Sequence, residues 1–179
     1  MINLKNFRSK NVGILGLGKS GLSVVRSVEQ AGALLTCWDD DKQKRVNLEV
    51  EGFNVKDLND KKLVRELDLL IVSPGIAHLY PAPHPIVRLA YELNIKVDND
   101  IGLFFSSYIH DEYETFSNPP KIIAITGSNG KSTVTSLAGH VFSKIFRDVE
   151  IGGNIGKPVL ELSPLKEGSI RIVELSSYP

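Results

Sequence analysis

The sequence predicts a parallel α/β fold in two successive units, and three observations carry that prediction. Short apolar runs alternate with longer amphipathic ones. A glycine loop, GLGKSG at 16–21, follows the first apolar run. A second, within ITGSNGKST at 125–133, follows the pair Pro119-Pro120. Each loop lies between an apolar run and a helical pattern, where a parallel strand passes the chain to its crossover helix.

In the first hundred residues, strands are expected at NVGIL (11–15), ALLTCW (33–38), FNV (53–55), DLLIVS (68–73) and IKV (95–97). The segment SGLSVVRSVEQAG sets Leu22, Val25 and Val28 at helical spacing and stops at Gly32. HPIVRLAYELN (84–94) has proline in its first turn and aligns Ile86, Leu89, Ala90 and Leu93. Periodicity lapses from Ser106 to Pro120, which reads as a linker. A second series follows: strand KIIAIT (121–126), helix KSTVTSLAGHVFSKIF (131–146), strand VEIGG, a short helix from Lys157 and strand SIRIVELSS.

Composition narrows the function classes. The 179 residues are 42% hydrophobic and 23% charged, and 21 basic residues balance 21 acidic ones. Mean hydropathy is −0.04. No global field draws such a chain to nucleic acid or anionic lipid, so any bound anion must be held locally. MINLKNFRSK has no signal-type apolar run, and no stretch approaches the ~20 apolar residues that span a bilayer. The lone cysteine, Cys37, lies in an expected strand and excludes an internal disulfide framework. Cytoplasm is the expected compartment. No His or Cys cluster has metal-ligand spacing, and His78, His84, His110 and His140 read as loop or surface residues.

In GLGKSG, Gly16 and Gly18 permit a tight turn with close backbone approach, and Gly21 permits close packing of helix on strand. The helix N-terminus offers N–H groups to a phosphate. Asp39 ends the next strand, where an acid meets a ribose or base; the run Asp39-Asp40-Asp41 otherwise reads as a solvated turn. In SPGI (73–76) the Ser73 hydroxyl and the Gly75 N–H are candidates to face an anion, against a plain turn as the alternative. Alone, these features suggest a dinucleotide cofactor. An NAD-dependent oxidoreductase would, however, leave GSNGKST without a use.

The second loop fails the strict G-x-x-x-x-G-K-[S/T] pattern, because the position five before Gly130 is Ile125. Its physical parts remain. Gly127, Ser128, Asn129 and Gly130 supply backbone N–H groups, Lys131 a cation for the β- and γ-phosphates, and Ser132 or Thr133 a hydroxyl for Mg²⁺. Glu174 closes the last strand, where an acid reaches a phosphate-bound Mg²⁺. In GGNIG (152–156), Asn154 is placed to project from the same edge.

Taken in order, GLGKSGLS, SPGI, HP before a helix, DIGLF, ITGSNGKST, GGNIG and ELSS resemble the Mur ligases of peptidoglycan synthesis, from about Asn11 to Ser177. The tight loop is shared with folylpolyglutamate synthetases and indicates only the superfamily; GLGKSGLS, SPGI and ELSS together point to the D-glutamate-adding branch. The resemblance implies a Rossmann-like domain over 1–100 that holds the UDP end of the substrate rather than NAD. It implies a connecting helix and linker at 101–120, then the start of a P-loop-type parallel α/β central domain over 121–179. Lys19, Ser20 and Gly21 would lie near the uridine diphosphate, Asp39 near the uracil, and Ser73, Pro74 and Gly75 near substrate phosphates. Gly127, Ser128, Asn129, Gly130, Lys131, Ser132 and Thr133 would surround the ATP phosphates. Lys131 and Glu174 would be catalytic, Ser132 and Glu174 would hold Mg²⁺, and Asn154 and Ser176 would approach the UDP-linked substrate. The implied cofactors are ATP and Mg²⁺. The implied reaction joins D-glutamate to UDP-N-acetylmuramoyl-L-alanine through an acyl phosphate.

The chain also departs from the family pattern. Asn99 and Gly102 stand where family members usually have Gly or Glu, and ELSSYP replaces ELSSFQ, with Pro179 for a glutamine. The later central-domain strands, the histidine and modified lysine of a second metal, and the C-terminal domain are not in the chain. The expectation is a chain inactive alone, with an uncovered sheet edge at SIRIVELSS inviting self-association. The alternative is a UDP-sugar or nucleotide-binding module without chemistry.

Overall fold

A run such as LLIV, apolar at every position, suits a parallel strand covered on both faces. The computed structural model describes residues 2, 4–110 and 116–176, and places LLIV in such a sheet. The described residues form two compact units, Leu4–Leu103 and, with Ile2, those from Phe104 onward.

In the first unit, strands β1 (Asn11–Leu15), β2 (Leu34–Trp38), β3 (Leu69–Val72) and β4 (Lys96–Asp98) pair in parallel in the order β2-β1-β3-β4. Helices α1 (Lys19–Gln30), α2 (Lys42–Val50), α3 (Lys61–Arg65) and α4 (Pro85–Glu92) make the crossovers. All of β3 is buried. Leu70 and Val72 pack with Leu15 and with Ile86, Val87 and Ala90 of α4. Each such side chain removed from water stabilises the fold by roughly 1.5–3 kcal/mol. Leu89 and Leu93 lie partly buried against this cluster. On α1, Val24, Val25 and Val28 are buried, whereas Leu22 is half-covered.

Two expectations change here, and two helices appear for which the sequence reading named none. FNV is not a strand: Val55 makes a single parallel bridge to Cys37 before the chain turns at Asp57, which accepts from the Asn59 amide at 2.9 Å. Helices α2 and α3 carry weak apolar periodicity, burying only Leu48 and only Val64, and are begun instead by side-chain caps. Asp41 accepts from the Gln43 amide and Asp60 from the Lys62 amide, each at 2.8 Å. His84 is more than a surface residue. Its Nδ1 accepts from the Ile86 amide at 3.3 Å to cap α4, while Nε2 lies 3.0 Å from Asp40. Pro85 then takes the first helical position, where no N–H is needed.

Cys37 is fully buried in β2, and burial, with Glu29 nearby, pushes its thiol pKa up to about 12.

Helix α5 (Asp100–His110) runs into the stretch expected to be linker. Inside the helix the Ser107 hydroxyl donates to the Phe104 carbonyl at 2.7 Å, so these polar residues are accommodated without breaking it. The rest of the expected linker at 111–115, and Ser177, Tyr178 and Pro179, lie outside the described residues. Asn99 and Gly102 have local explanations. Asn99 caps α5 by accepting from the Gly102 amide at 2.9 Å, and a Cβ on Gly102 would overlap the Asp98 carboxylate.

In the second unit, β5 (Lys121–Ile125), β6 (Val149–Gly153) and β7 (Ile170–Glu174) form a parallel sheet in the order β5-β7-β6, with α6 (Lys131–Ile145) leading from β5 to β6. The expected short helix is a 3-10 turn, Val159–Glu161. SIRIVELSS is therefore not an edge. The β5–α6–β6 crossover leaves room for one strand, and β7 fills it, paired along both sides and buried throughout. Among the described strands of this sheet, β5 and β6 are the edges.

A central strand carrying Arg171 must neutralise a buried cation. The guanidinium, fully buried, pairs with Asp148 at 2.8 Å and lies 3.5 Å from Glu150. Burial alone would raise the Glu150 pKa; Lys157, Ser163 and Arg171 outweigh it and hold this carboxyl below its ordinary range. Helix α6 lies close to the sheet at Gly139, where a Cβ would overlap Ile151. Among the described residues, no helix is long and apolar enough to cross a membrane.

The fit of Gly102 to Asp98 is testable. Gly102→Ala should destabilise the chain by about 1–3 kcal/mol, as overpacking does. In an Asp98→Ala background the same substitution should cost much less, as measured by urea unfolding.

Candidate functional site

Strand order in the first unit reverses between β1 and β3, since β1 leads outward to β2 and β3 to β4. A crevice at the carboxyl ends of such strands is the usual ligand position of an open parallel sheet. GLGKSG leaves β1 there and SPGI leaves β3. Gly16, at φ +93°, donates from its amide to the Trp38 carbonyl at 2.8 Å, and a Cβ would lie 2.8 Å from the Ser73 Cβ. At Gly21 a Cβ would run into the Gly16 carbonyl. The helical ladder of α1 begins with the Leu22 amide donating to Gly18 at 2.9 Å. The amides of Lys19, Ser20 and Gly21 precede it, and such first-turn amides are suited to an anion.

Side chains from neighbouring strand ends brace this loop. The Ser73 hydroxyl donates to the Gly16 carbonyl at 2.9 Å. Asp39 accepts from the Leu17 amide at 2.7 Å and the Asp41 amide at 2.9 Å, with Lys44 at 3.2 Å. Burial by itself would raise the Asp39 pKa, but these donors outweigh it and hold the carboxyl below its ordinary value. Arg45, overlooked in the sequence, donates to the Asp39 carbonyl at 2.6 Å and lies over the Trp38 ring at 4.3 Å. Pro74 and Gly75 are exposed at the tip of SPGI. Lys19, Ser20, Gly21, Asp39, Ser73, Pro74 and Gly75 thus gather at one end of one sheet.

The second loop is built at the carboxyl ends of β5, β6 and β7. Gly127 (φ +146°) and Gly130 (φ +75°) take backbone conformations that L side chains rarely adopt, and Gly130 caps α6. Lys131 Nζ donates back to the Gly127 carbonyl at 2.8 Å, across the exposed residues Ser128 and Asn129. The helical ladder starts at Val134, which donates to Gly130 at 3.0 Å, so the amides of Lys131, Ser132 and Thr133 precede it. From the adjacent β7, Glu174 Oε1 accepts from the Ser132 hydroxyl at 3.2 Å. Asn154 donates from its amide to the Glu174 carbonyl at 3.1 Å, and its Nδ2 donates to the Ser176 hydroxyl at 3.3 Å.

Glu174 is 3% exposed, and its Oε2 has no partner among the described residues. A buried carboxylate oxygen left unpaired is costly, and a hard cation is one way to satisfy it. Ser132 and Glu174 are oxygen donors suited to Mg²⁺. Among the described residues no group of three or more His, Cys, Asp or Glu gathers around a metal position. Phosphate and water oxygens would complete the coordination, as is usual for Mg²⁺ at phosphates.

Asp39→Asn, which removes the charge but keeps the shape, should cost about 1–3 kcal/mol at neutral pH in urea unfolding. Because the folded pKa is depressed, the Asp39 contribution is complete above about pH 4 and is lost as pH falls through the folded value. The acid limb of the stability profile should therefore be shallower in the variant.

The chain is also similar in sequence to known proteins. Residues 10–97 match the family model for the Mur ligase MurD-like N-terminal domain. Proteins named UDP-N-acetylmuramoylalanine--D-glutamate ligase are similar along nearly the whole chain. The one from Ruegeria pomeroyi is 48% identical over 99% of this chain and 38% of its own length. Those from Cereibacter sphaeroides and Roseobacter denitrificans are 43% and 44% identical, with the same coverage of both chains. The chain thus spans 38% of the length of these relatives. With that match, these identities and the loops described above, the chain belongs to the Mur ligase family, in its MurD-like branch.

Proposed function

We propose that this chain supplies the UDP-substrate and ATP-phosphate sites of a ligase that joins D-glutamate to UDP-N-acetylmuramoyl-L-alanine in peptidoglycan biosynthesis, with cleavage of ATP to ADP. The observation that carries the reading is the buried Glu174 carboxylate against Ser132, beside a glycine loop whose lysine crosses its own backbone. ATP bound here with Mg²⁺ would supply the phosphoryl group that converts the alanine carboxylate to an acyl phosphate, with release of ADP; attack of the D-glutamate amine on its carbonyl carbon would form the amide and expel phosphate. Lys131 leaves its loop carbonyls to meet the transferring phosphoryl group, and the amides of Gly130 to Thr133 hold phosphate oxygens in line. Ser132 and Glu174 hold the cation. Asn154 and Ser176 orient the incoming substrate.

In the first unit, the amides of Lys19, Ser20 and Gly21 hold the diphosphate, with Ser73, Pro74 and Gly75 on its other side. Asp39 shapes the uracil side by holding Leu17. Cytoplasm is the compartment this reading expects. The chain spans 38% of the length of its relatives, and we propose that it alone binds nucleotides without turnover.

Calorimetric titration tests the reading. UDP and Mg²⁺-ATP should bind independently. Lys131→Ala should weaken ATP by at least about tenfold and leave UDP unchanged, since a charge-assisted phosphate contact is lost. Saturable NADH binding that UDP does not displace would overturn the UDP assignment. ADP release with the UDP substrate and D-glutamate, abolished by Lys131→Ala, would overturn the absence of turnover.

A further inference from the structure

The run Asp39-Asp40-Asp41, which in the sequence reads as a solvated turn, is held at every residue. The Asp39 carboxylate accepts from the Leu17 amide at 2.7 Å, the Asp40 carboxylate lies 3.0 Å from His84 Nε2, and the Asp41 carboxylate accepts from the Gln43 amide at 2.8 Å. Arg45 adds a hold on the backbone itself. Its Nη1 donates to the Asp39 carbonyl at 2.6 Å and to the Asp40 carbonyl at 2.9 Å, while its Cζ lies 4.3 Å from the centre of the Trp38 ring. Helical side chains lean toward the N-terminus, which is how Arg45 on α2 reaches carbonyls that precede the helix. A cation there stands against the helix dipole, so it needs other partners to stay. Two carbonyls, and an indole that packs on the core cluster, supply them.

We propose that Arg45 is a positioning residue for the nucleoside end of the ligand in this crevice, acting through the Asp39–Asp40 turn. The core holds the Trp38 ring, the ring holds the guanidinium, and the guanidinium holds the two carbonyls at the end of β2. With that backbone fixed, the Asp39 carboxylate is aimed at the Leu17 amide in the glycine loop. The amides of Lys19, Ser20 and Gly21, proposed above to hold the diphosphate, belong to the first turn of α1 and are placed by that helix. Arg45 thus sets the geometry of the base side and leaves the phosphate side alone. Its charge is not enough for this role. A guanidinium can lie flat on an indole and still donate in its own plane, which an ammonium cannot.

The proposal rests on the reading that the crevice takes a uridine diphosphate. UDP is therefore titrated into the 179-residue chain beside inorganic pyrophosphate, which has the phosphates and no nucleoside. Arg45→Ala should raise the Kd for UDP about tenfold and leave that for pyrophosphate within about twofold of the parent. Arg45→Lys keeps the charge and should stay within about threefold of Arg45→Ala. Equal losses for both ligands, or full recovery in Arg45→Lys, would show that charge acts at a distance and would overturn the proposal. So would an unchanged Kd for UDP in Arg45→Ala. Should Arg45→Ala fail to fold, Arg45→Lys carries the same comparison. If the parent does not bind UDP, the functional reading fails, and hydrogen exchange in the unliganded chain then decides the role of Arg45 separately. The Leu17 and Asp41 amides, which donate to Asp39, should exchange faster in Arg45→Ala than in the parent; equal rates would reject the proposal. The same exchange measurement decides where pyrophosphate binds too weakly to titrate.

Discussion

Parallel strand pairing is the constraint on which both candidate sites depend. Strands that run the same way deliver every following loop to the same end of their sheet. GLGKSG and SPGI meet because β1 and β3 are neighbours. The lysine loop and Glu174 meet because β7 enters between β5 and β6. Reversing any one of these strands would carry its loop to the opposite end. The glycines at 16, 21 and 153 follow from the same geometry, since loops crowded at one edge leave no space for side chains there.

Crowding also sets the electrostatics. Three buried carboxyls stand at these strand ends, each balanced differently. Asp39 is surrounded by donors, Asp100 keeps only part of its compensation, and Glu174 has one satisfied oxygen and one unsatisfied. A carboxyl whose oxygens are hydrogen-bonded is a structural brace, whereas a buried one with an unpaired oxygen calls for a further donor or a cation. By that criterion Glu174 is the residue most ready for a cation, and Asp39 the most fully engaged by its own chain.

How much of this was legible in the sequence depended on the range of the interaction. The glycine loops, β1, β5 and α4 were readable because each is specified locally, by turn residues, apolar runs and an N-terminal proline. The order of β5, β7 and β6 was not, because strand neighbours are chosen by the whole sheet. Nor was the burial of Arg171, whose partners Asp148 and Glu150 lie on or beside another strand. Helices α2 and α3 escaped because caps at Asp41 and Asp60, rather than an apolar face, define them. At the candidate site the residue types of the second glycine loop were evident. That Asp39 and Ser73 spend their hydrogen bonds on the first loop was not, since only the fold reveals which backbone groups lie within reach.

The state of Cys37 has a practical side. With its pKa near 12 and no solvent access, about one thiol in ten thousand is ionised at pH 8, and that thiolate is shielded from reagents. It is the only cysteine of the chain, so the folded protein is chemically silent toward thiol labels. A cysteine introduced at an exposed position such as Ser128 would carry a fluorophore or spin label alone. The loop that grips its own lysine could then be watched while candidate nucleotides are titrated in, with no native residue removed from the core.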